Sequence, residues 1–479
     1  MKRKWLASTL AVAMLFGNFP LGMVETSYAQ DDKEAASLEQ TSNPILMSFL
    51  EQAGDRYKGK DSLTLILGVN DSVMAQKYKL TVPKIENIKT EEGLLAQIAY
   101  AKKAQNILIK QMDSLDIDYT VGERYDTLLT GLSVQTTYED ALKIANLQEI
   151  GTIEIDNVIP RPIAKPFEPI QTLDTSSNKM IQAPTVWNSQ YTGKGQLIAI
   201  IDSGANPNHE VFQTIPDDGL KIASKEALES LKRGRNIAVS GHFFSKKIPY
   251  GYNYADHTIG IKESTNASHG MHVAGITAAN SEKLKGVAPD AQLAIMRVFG
   301  EAGLFGSGGT THEIYNKAID DAVKLGVDSI NMSLGTTSTS TNRVEPSTIN
   351  ALMDAKRAGI AVSIAAGNEG FMGYDQESGP KAANPDYGML SSPAVAEVSL
   401  AVASVNNTEF DQPIMKVTLA NGTAGKSIGY VASTSPKELP ETDVEFVDCG
   451  WVIQKNLLEK MSEVNMPSFN VVVKMVVNP

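Results

Sequence analysis

From about residue 176 the chain repeats one pattern: a short continuous apolar run, then a stretch with helical spacing. The runs are "GQLIAIID" (195–202), "AQLAIMRVF" (291–299), "VDSINMSLG" (327–335), "IAVSIAAGN" (360–368) and "EVSLAVASV" (397–405). Each reads as a strand buried on both faces. Between them, "HVAGITAAN", "THEIYNKAIDDAVKLG" and "STINALMDAKRAG" place apolar residues at helical intervals, and Gly326 stops the second of these. Strands alternating with helices predict an α/β fold, a parallel sheet with helices on both faces. In such a sheet, chemistry is expected beyond the carboxyl ends of the strands.

A different order precedes it. "LTLILGV" reads as a strand, and "EEGLLAQIAYAKKAQNILIKQMDSL" as a helix with Leu94, Ile98, Ala101, Ile107 and Met112 on one face. "DIDYTVGERYDTLLTGLSVQTT" reads as strand, turn and strand. "TYEDALKIANL" is a short helix with Thr137 as N-cap and Glu139 or Asp140 in its first turn. "IGTIEIDNVI" closes the unit. The order β-α-β-β-α-β predicts a small α+β, ferredoxin-like unit over about 62–160. Residues 30–57 are polar and mixed and read as a loose leader. "PRPIAKPFEP" brings four prolines into ten residues and marks a linker between two folded units.

Composition narrows the class. With 42% hydrophobic and 20% charged residues the chain is ordinary globular protein. A formal net charge of −12 argues against a nucleic-acid partner, because phosphate binding needs clustered Lys and Arg. Residues 1–29 run Lys2, Arg3, Lys4, then an apolar stretch from Trp5 to Phe16, then Ser27-Tyr28-Ala29. That is the layout of a secretory signal peptide; the alternative is an N-terminal membrane anchor, for which the run is short. No later stretch is long and apolar enough to span a bilayer. One cysteine, Cys449, excludes an intramolecular disulfide and reads as a small buried apolar side chain.

Three features carry candidate chemistry. Asp202 ends "LIAIID" and precedes Ser203-Gly204; a carboxylate so poorly hydrated needs hydrogen bonds or a cation, unless it is a plain strand-end turn. In "SHGMHVAG", Gly270 lets the backbone approach closely beside His269, which begins a helix and is a natural general base. His272 raises the possibility of a metal pair and a metallohydrolase, but the Glu of a zinc-protease helix is missing, so no metal is expected and His272 reads as structural. Asn368 ends an apolar strand; it suits an oxyanion donor or a turn Asn. Asp, His and Asn on successive strand ends together match a hydrolase that lacks only its nucleophile.

With those residues in place the chain resembles the subtilases, the subtilisin-like serine endopeptidases, over about 180–405. "IAIIDSGANPNHEVF" is similar to their Asp motif, and "SHGMHVAGITAAN" with "KGVAPDAQLAIMRVF" to their His motif. "INMSLG" is similar to their substrate-binding strand and "SIAAGNEG" to their oxyanion segment. Met271 resembles the cell-envelope proteinases of the lactocepin kind. The resemblance implies that Asp202 orients His269, His269 is the base and Asn368 donates to the oxyanion. It implies that Ser333, Leu334 and Gly335 form one wall of the specificity pocket and Ala365, Ala366 and Gly367 another. Gly306, Ser307 and Gly308 would pair with an extended peptide from the opposite side. It further implies secretion, in extracellular or cell-envelope association, protein or peptide substrates, and a propeptide over 30–160 that fills the cleft. The linker is then 161–175 and the partial catalytic domain 176–408. Calcium is common in the family, but "AANSEKLKGVAP" lacks the longer Asn-rich loop that often binds it, so no cofactor and no specific calcium site are expected.

The chain departs from the pattern at the serine. No "GTSMA"-like turn is present; the nearest string is "NGTAGKS", and Ser427 in it lies in a polar, turn-rich stretch with no apolar helix after it. Residues 409–479 read as the start of a protease-associated insertion that degenerates after about 450. The expectation is a form truncated before its serine and inactive as given. The alternative is a non-catalytic secreted pseudoprotease that holds a peptide or a partner.

Overall fold

The "LTLILGV" run forms β1 (Ser62–Val69), the middle of an antiparallel sheet. Its neighbours are β3 (Gly131–Thr137) and β4 (Ile150–Ile155), with β2 (Tyr119–Tyr125) outside β3. The computed structural model describes residues 43–159, 161, 176–235, 241–262, 269–300, 308–337, 346–368, 374–375, 379–380, 390–397 and 399–405, and beyond 413 residue 423 and two-residue strands between 414 and 473. The segment 1–29, expected to be a signal peptide, most of 161–175 and of 409–479, and Gly306, Ser307, Ser427 and Cys449 lie outside the described residues.

One helix of this N-terminal unit departs from the sequence reading. The expected loose leader contains α1 (Pro44–Ala53), so the folded unit begins at Asn43 rather than at 62. Asn43 caps it by accepting from the backbone N–H of Ile45 and Leu46, and Pro44 suits the first turn. Phe49 and Ala53, four apart, are fully buried in one cluster with Leu65, Leu67 and Ile153. α1 itself is mostly apolar, with Ile45, Leu46, Met47, Phe49, Leu50 and Ala53, but this short run lies between polar flanks, and the average over 30–57 suggested a leader. After it come α2 (Asp71–Gln76), α3 (Glu91–Asp113) and α4 (Tyr138–Ile144). Leu94, Ile98, Ala101 and Met112 of α3 are buried, as the periodicity requires, and Thr137 caps α4 by accepting from Asp140 N–H. The strand order β2-β3-β1-β4, with α3 and α4 in the two crossovers, gives the β-α-β-β-α-β connection.

A two-residue strand, β5 (Val158–Ile159), leaves the unit, and α5 (Ser176–Met180) and α6 (Ala183–Asn188) lead into the larger sheet. That sheet has six strands, all parallel: β6 (Leu197–Asp202), β7 (Tyr250–Asn253), β8 (Gln292–Arg297), β10 (Ser329–Met332), β12 (Ala361–Ala365) and β16 (Leu400–Val402). Their spatial order is β16-β12-β10-β6-β8-β7. From β6 the chain goes to the edge strand β7, returns to β8 beside β6, and then crosses to β10 on the other side. The crevice over β6 and β10 is therefore a topological switch point, where ligands bind in such sheets.

Alternation along β6 divides the core. Ile200 joins Leu293, Ile295, Ala274 and Ala278 on the face covered by α8 (His269–Ala278). Ala199 and Ile201 join Ala294, Met296 and Ile319 on the face covered by α9 (His312–Leu325) and α10 (Pro346–Arg357). Each such large side chain contributes roughly 1.5–3 kcal/mol by leaving water. Gly326, at φ 75°, ends α9 in the left-handed conformation that a side chain resists. The sequence pattern did not announce β7, because "YGYN" has no aliphatic run; Tyr250 and Tyr252 supply its burial instead. Nor did it announce α7 (Lys225–Gly234), which buries only Leu228.

Candidate active site

The register of the parallel sheet aligns three strand ends. Ile201 of β6 lies beside Met332 of β10, which lies beside Ile364 of β12. The residues that follow, Asp202, Ser333 and Ala365, therefore line one carboxyl edge. Asp202 is fully buried there. Its Oδ1 accepts two hydrogen bonds, from Ser203 N–H at 2.7 Å and from His269 Nδ1–H at 2.8 Å. Two donors on one oxygen fix the plane of the carboxyl group.

His269 is the first residue of α8 and retains 24% exposure of its side chain. The start of that helix is clamped: Gly270 N–H donates to the buried Ser203 Oγ at 2.8 Å. A Cβ on Gly270 would stand 2.4 Å from Gly204 O and 3.1 Å from Asp202 Oδ1, so only glycine permits this approach. The hydrogen bond to Asp202 raises the His269 pKa above the ordinary histidine value; partial burial and the positive charge of Arg161 oppose that rise. With Nδ1 given to Asp202, Nε2 is the nitrogen left to exchange a proton with a bound group. His272, read from the sequence as structural, is exposed on the solvent side of α8. Among the described residues no three His, Cys, Asp or Glu side chains converge as metal ligands do.

Asn368 follows β12 and is exposed at the same edge, after Gly367, whose φ of 107° turns the chain out of the strand. Ala366 is tied on both sides, its N–H to Val402 O and its O to Ser391 N–H. Across from it, Asn331 donates to Ser333 Oγ, and Leu334 is buried. The short strand β11 (Thr336–Thr337) pairs with β15 (Ser391–Ser392), beyond the small antiparallel pair β13 (Tyr374–Asp375) and β14 (Gly379–Pro380). At Gly335 a Cβ would meet Ser392 O at 2.6 Å, so the Ser333–Gly335 segment depends on close backbone contact.

On the opposite side Gly308 has φ 83° and leads into β9 (Thr310–Thr311). This edge carries a strand already: β5 pairs with it antiparallel, Val158 against Thr311 and Ile159 against Thr310. Ile159 is buried, and Arg161 is near enough to bear on His269. Sequence reasoning missed Ser203, Thr310, Thr311 and Arg161. A serine directly after a buried aspartate was the available signal for the first; the other three depend on contacts between distant segments.

A doubly covered parallel sheet with an Asp–His pair on its carboxyl edge defines an α/β protein whose site sits at the switch point. By its match to the Subtilase family model over residues 193–469, the chain belongs to the subtilase family. It is 32% identical over 318 residues to the PIII-type proteinase of Lactococcus lactis subsp. cremoris, covering 64% of this chain and 15% of that protein. It is 33% identical over 255 residues to the C5a peptidase of Streptococcus pyogenes, covering 50% of this chain and 21% of that protein. The chain thus spans about a sixth to a fifth of the length of these relatives. A crystal structure of the epidermin leader peptide processing serine protease of Staphylococcus aureus is similar at 19% identity and TM-score 0.42, over 72% of this chain and 69% of that one.

Proposed function

We propose that this chain carries the acid and base of a secreted subtilisin-like serine endopeptidase, with protein or peptide substrates. The observation that carries the reading is the 2.8 Å hydrogen bond from His269 Nδ1 to the buried Asp202 carboxylate on a strand-end edge. In this reading Asp202 holds the imidazole in one tautomer and stabilises it when charged. His269 Nε2 takes the nucleophile's proton and returns it to the leaving amine. Asn368 donates to the oxyanion. Ser333, Leu334 and Gly335 with Ala365, Ala366 and Gly367 wall the primary pocket. Gly306, Ser307 and Gly308 flank the substrate strand, whose place β5 occupies here. The N-terminal unit, residues 43–159 of the 30–160 segment, acts as a propeptide lying in the cleft. Residues 161–175 are its linker, and 176–408 the catalytic part.

The nucleophile sets the chemistry of the 479 residues taken alone. None of their serines stands on a "GTSMA"-like turn. Loss of a triad nucleophile costs about a millionfold in turnover, leaving roughly 10³–10⁴ over water. The purified chain is expected to show no amidase activity on a broad peptide panel and no labelling by a fluorophosphonate. Stoichiometric labelling would identify a serine and overturn this account of the chain.

A further inference from the structure

The junction between the N-terminal unit and α9 is built from ionisable groups. The N-terminal unit presents Glu123, Asp126, Glu154 and Asp156 to it. From α9 come three more carboxyls, Glu313, Asp320 and Asp321, with Lys317, Lys324 and His312 among them. The two lysines are committed at one end. Lys324 Nζ lies 2.8 Å from Asp126 and 2.9 Å from Asp320, and Lys317 Nζ lies 2.7 Å from Asp321. Asp320 also accepts from Asp126 N–H, Thr127 N–H and the Thr127 hydroxyl, and Asp321 accepts from Tyr254.

At the other end His312 sits between two acids. Its Nδ1 lies 2.9 Å from Glu154 Oε1 and 3.7 Å from Asp156 Oδ1, with the Tyr315 ring edge-on beside it. His312 is 2% exposed and Glu154 1%. Helix N-termini offset part of this charge. Asp156 accepts from the first N–H groups of α9, at His312 and Glu313, and Glu154 accepts from Ser347 N–H at the start of α10. Glu313 accepts from the Ser133 hydroxyl, and at the rim the exposed His257 meets Glu123 at 4.0 Å. A cavity of about 250 Å³ lined by Glu123, Tyr254, His257, Glu313 and Lys317 brings solvent to the junction.

We propose that this junction is a proton-gated clasp, which holds the N-terminal unit on α9 in mildly acidic solution and loosens as protons leave Asp156 and Glu123. Carboxylates exceed the cations available to them, so docking brings like charges together in a poorly hydrated space. Burial raises the Asp156 pKa to about 6, with the charge of His312 opposing the rise. Burial also pushes Glu123 up, with Lys317 opposing, and Asp321 up against the same lysine. A raised carboxyl pKa means that the docked state binds more protons than the free one. The added hold is full below the ordinary carboxyl value and is lost as pH rises through about 6. Asp320 is the exception: burial opposes its charge, yet Lys324 and Lys317 hold its carboxyl below its ordinary value, so its part fails only in stronger acid. The consequence for the cleft rests on the proposed function, since β5 leaves the same unit.

Hydrogen exchange of the full chain at about pH 5 and about pH 7.5, corrected for intrinsic rates, tests the clasp. The amides of Asp126, Thr127, His312 and Ser347 bond across the junction and report it directly. Their protection is expected to fall about tenfold or more with the rise in pH, while that of β6 and β8 changes less than about threefold. The double variant Asp156→Asn, His312→Gln should flatten the dependence. Glu123→Gln, at the rim and easier on the fold, should weaken it. Equal protection at both pH values, an equal loss in β6 and β8, or an undiminished dependence in Glu123→Gln with the double variant would overturn the proposal. No outcome depends on chemistry at Asp202 or His269, so the clasp and the proposed function fail separately.

Discussion

Asp202 and His269 are joined through Ser203 as well as directly. The Ser203 backbone donates to Asp202, and its hydroxyl accepts from the residue after His269. One residue thus sets the carboxylate plane and the position of the helix that carries His269. If the Asp202 bond is what raises the His269 pKa, Asp202→Asn should return it toward the ordinary histidine value. The charged imidazole is favoured below its raised pKa and that advantage is lost as pH rises through it. Histidine-selective NMR across a pH titration reads the shift directly. Ser203→Ala should lower the same pKa in part, and Ser203→Thr should retain it, because threonine keeps the hydroxyl. A His269 titration indifferent to Asp202→Asn would remove the basis for the proposed base.

At the scale of elements, close backbone approach does what side-chain packing does elsewhere. Gly270→Ala would force its methyl into Gly204 O, at a cost of about 1–3 kcal/mol from overpacking. Thermal unfolding should show the loss, together with a lowered His269 pKa as α8 shifts away from Asp202. For α1 the expected outcome is different. Phe49→Ala would leave a void in the N-terminal core costing about 3–5 kcal/mol. Exchange in β1 and β4 should then rise while β6 and β8 hold. The two outcomes separate the cores of the two units.

These elements also show what a sequence displays. The five apolar runs announce the parallel sheet because a strand buried on both faces has no polar alternation to obscure it. Asp202 and His269 are visible for a local reason, each being a polar residue at the end or start of an apolar element. β7 and α1 are not, since tyrosines carry the burial of the first and the short apolar run of the second lies between polar flanks. The junction with α9 was not legible at all. His312 and Asp156 are 156 residues apart, and Lys324 and Asp126 are 198 apart. Nothing in either stretch alone distinguishes a buried ion pair from a solvated surface charge.

The whole molecule depends on such pairs where the two units meet. Asp320 accepts from two backbone amides and a hydroxyl of the N-terminal unit while facing two lysines. Asp320→Ala would strand those groups, and breaking a buried pair in this way costs about 3–5 kcal/mol. The expected readout is early loss of exchange protection at residues 124–128, before β6 and β8 open. A single cooperative transition with unchanged protection there would show that the units do not rely on this contact. The pairing of β5 with β9 has a further effect, on competition. A strand joined to its own acceptor edge through the intervening chain acts at an effective concentration of the order of millimolar. A free peptide of equal intrinsic affinity must approach that concentration to take half of the sites. If, as proposed, this edge is where substrate peptides pair, weak peptides would thereby be refused at ordinary abundance without any contact that recognises them.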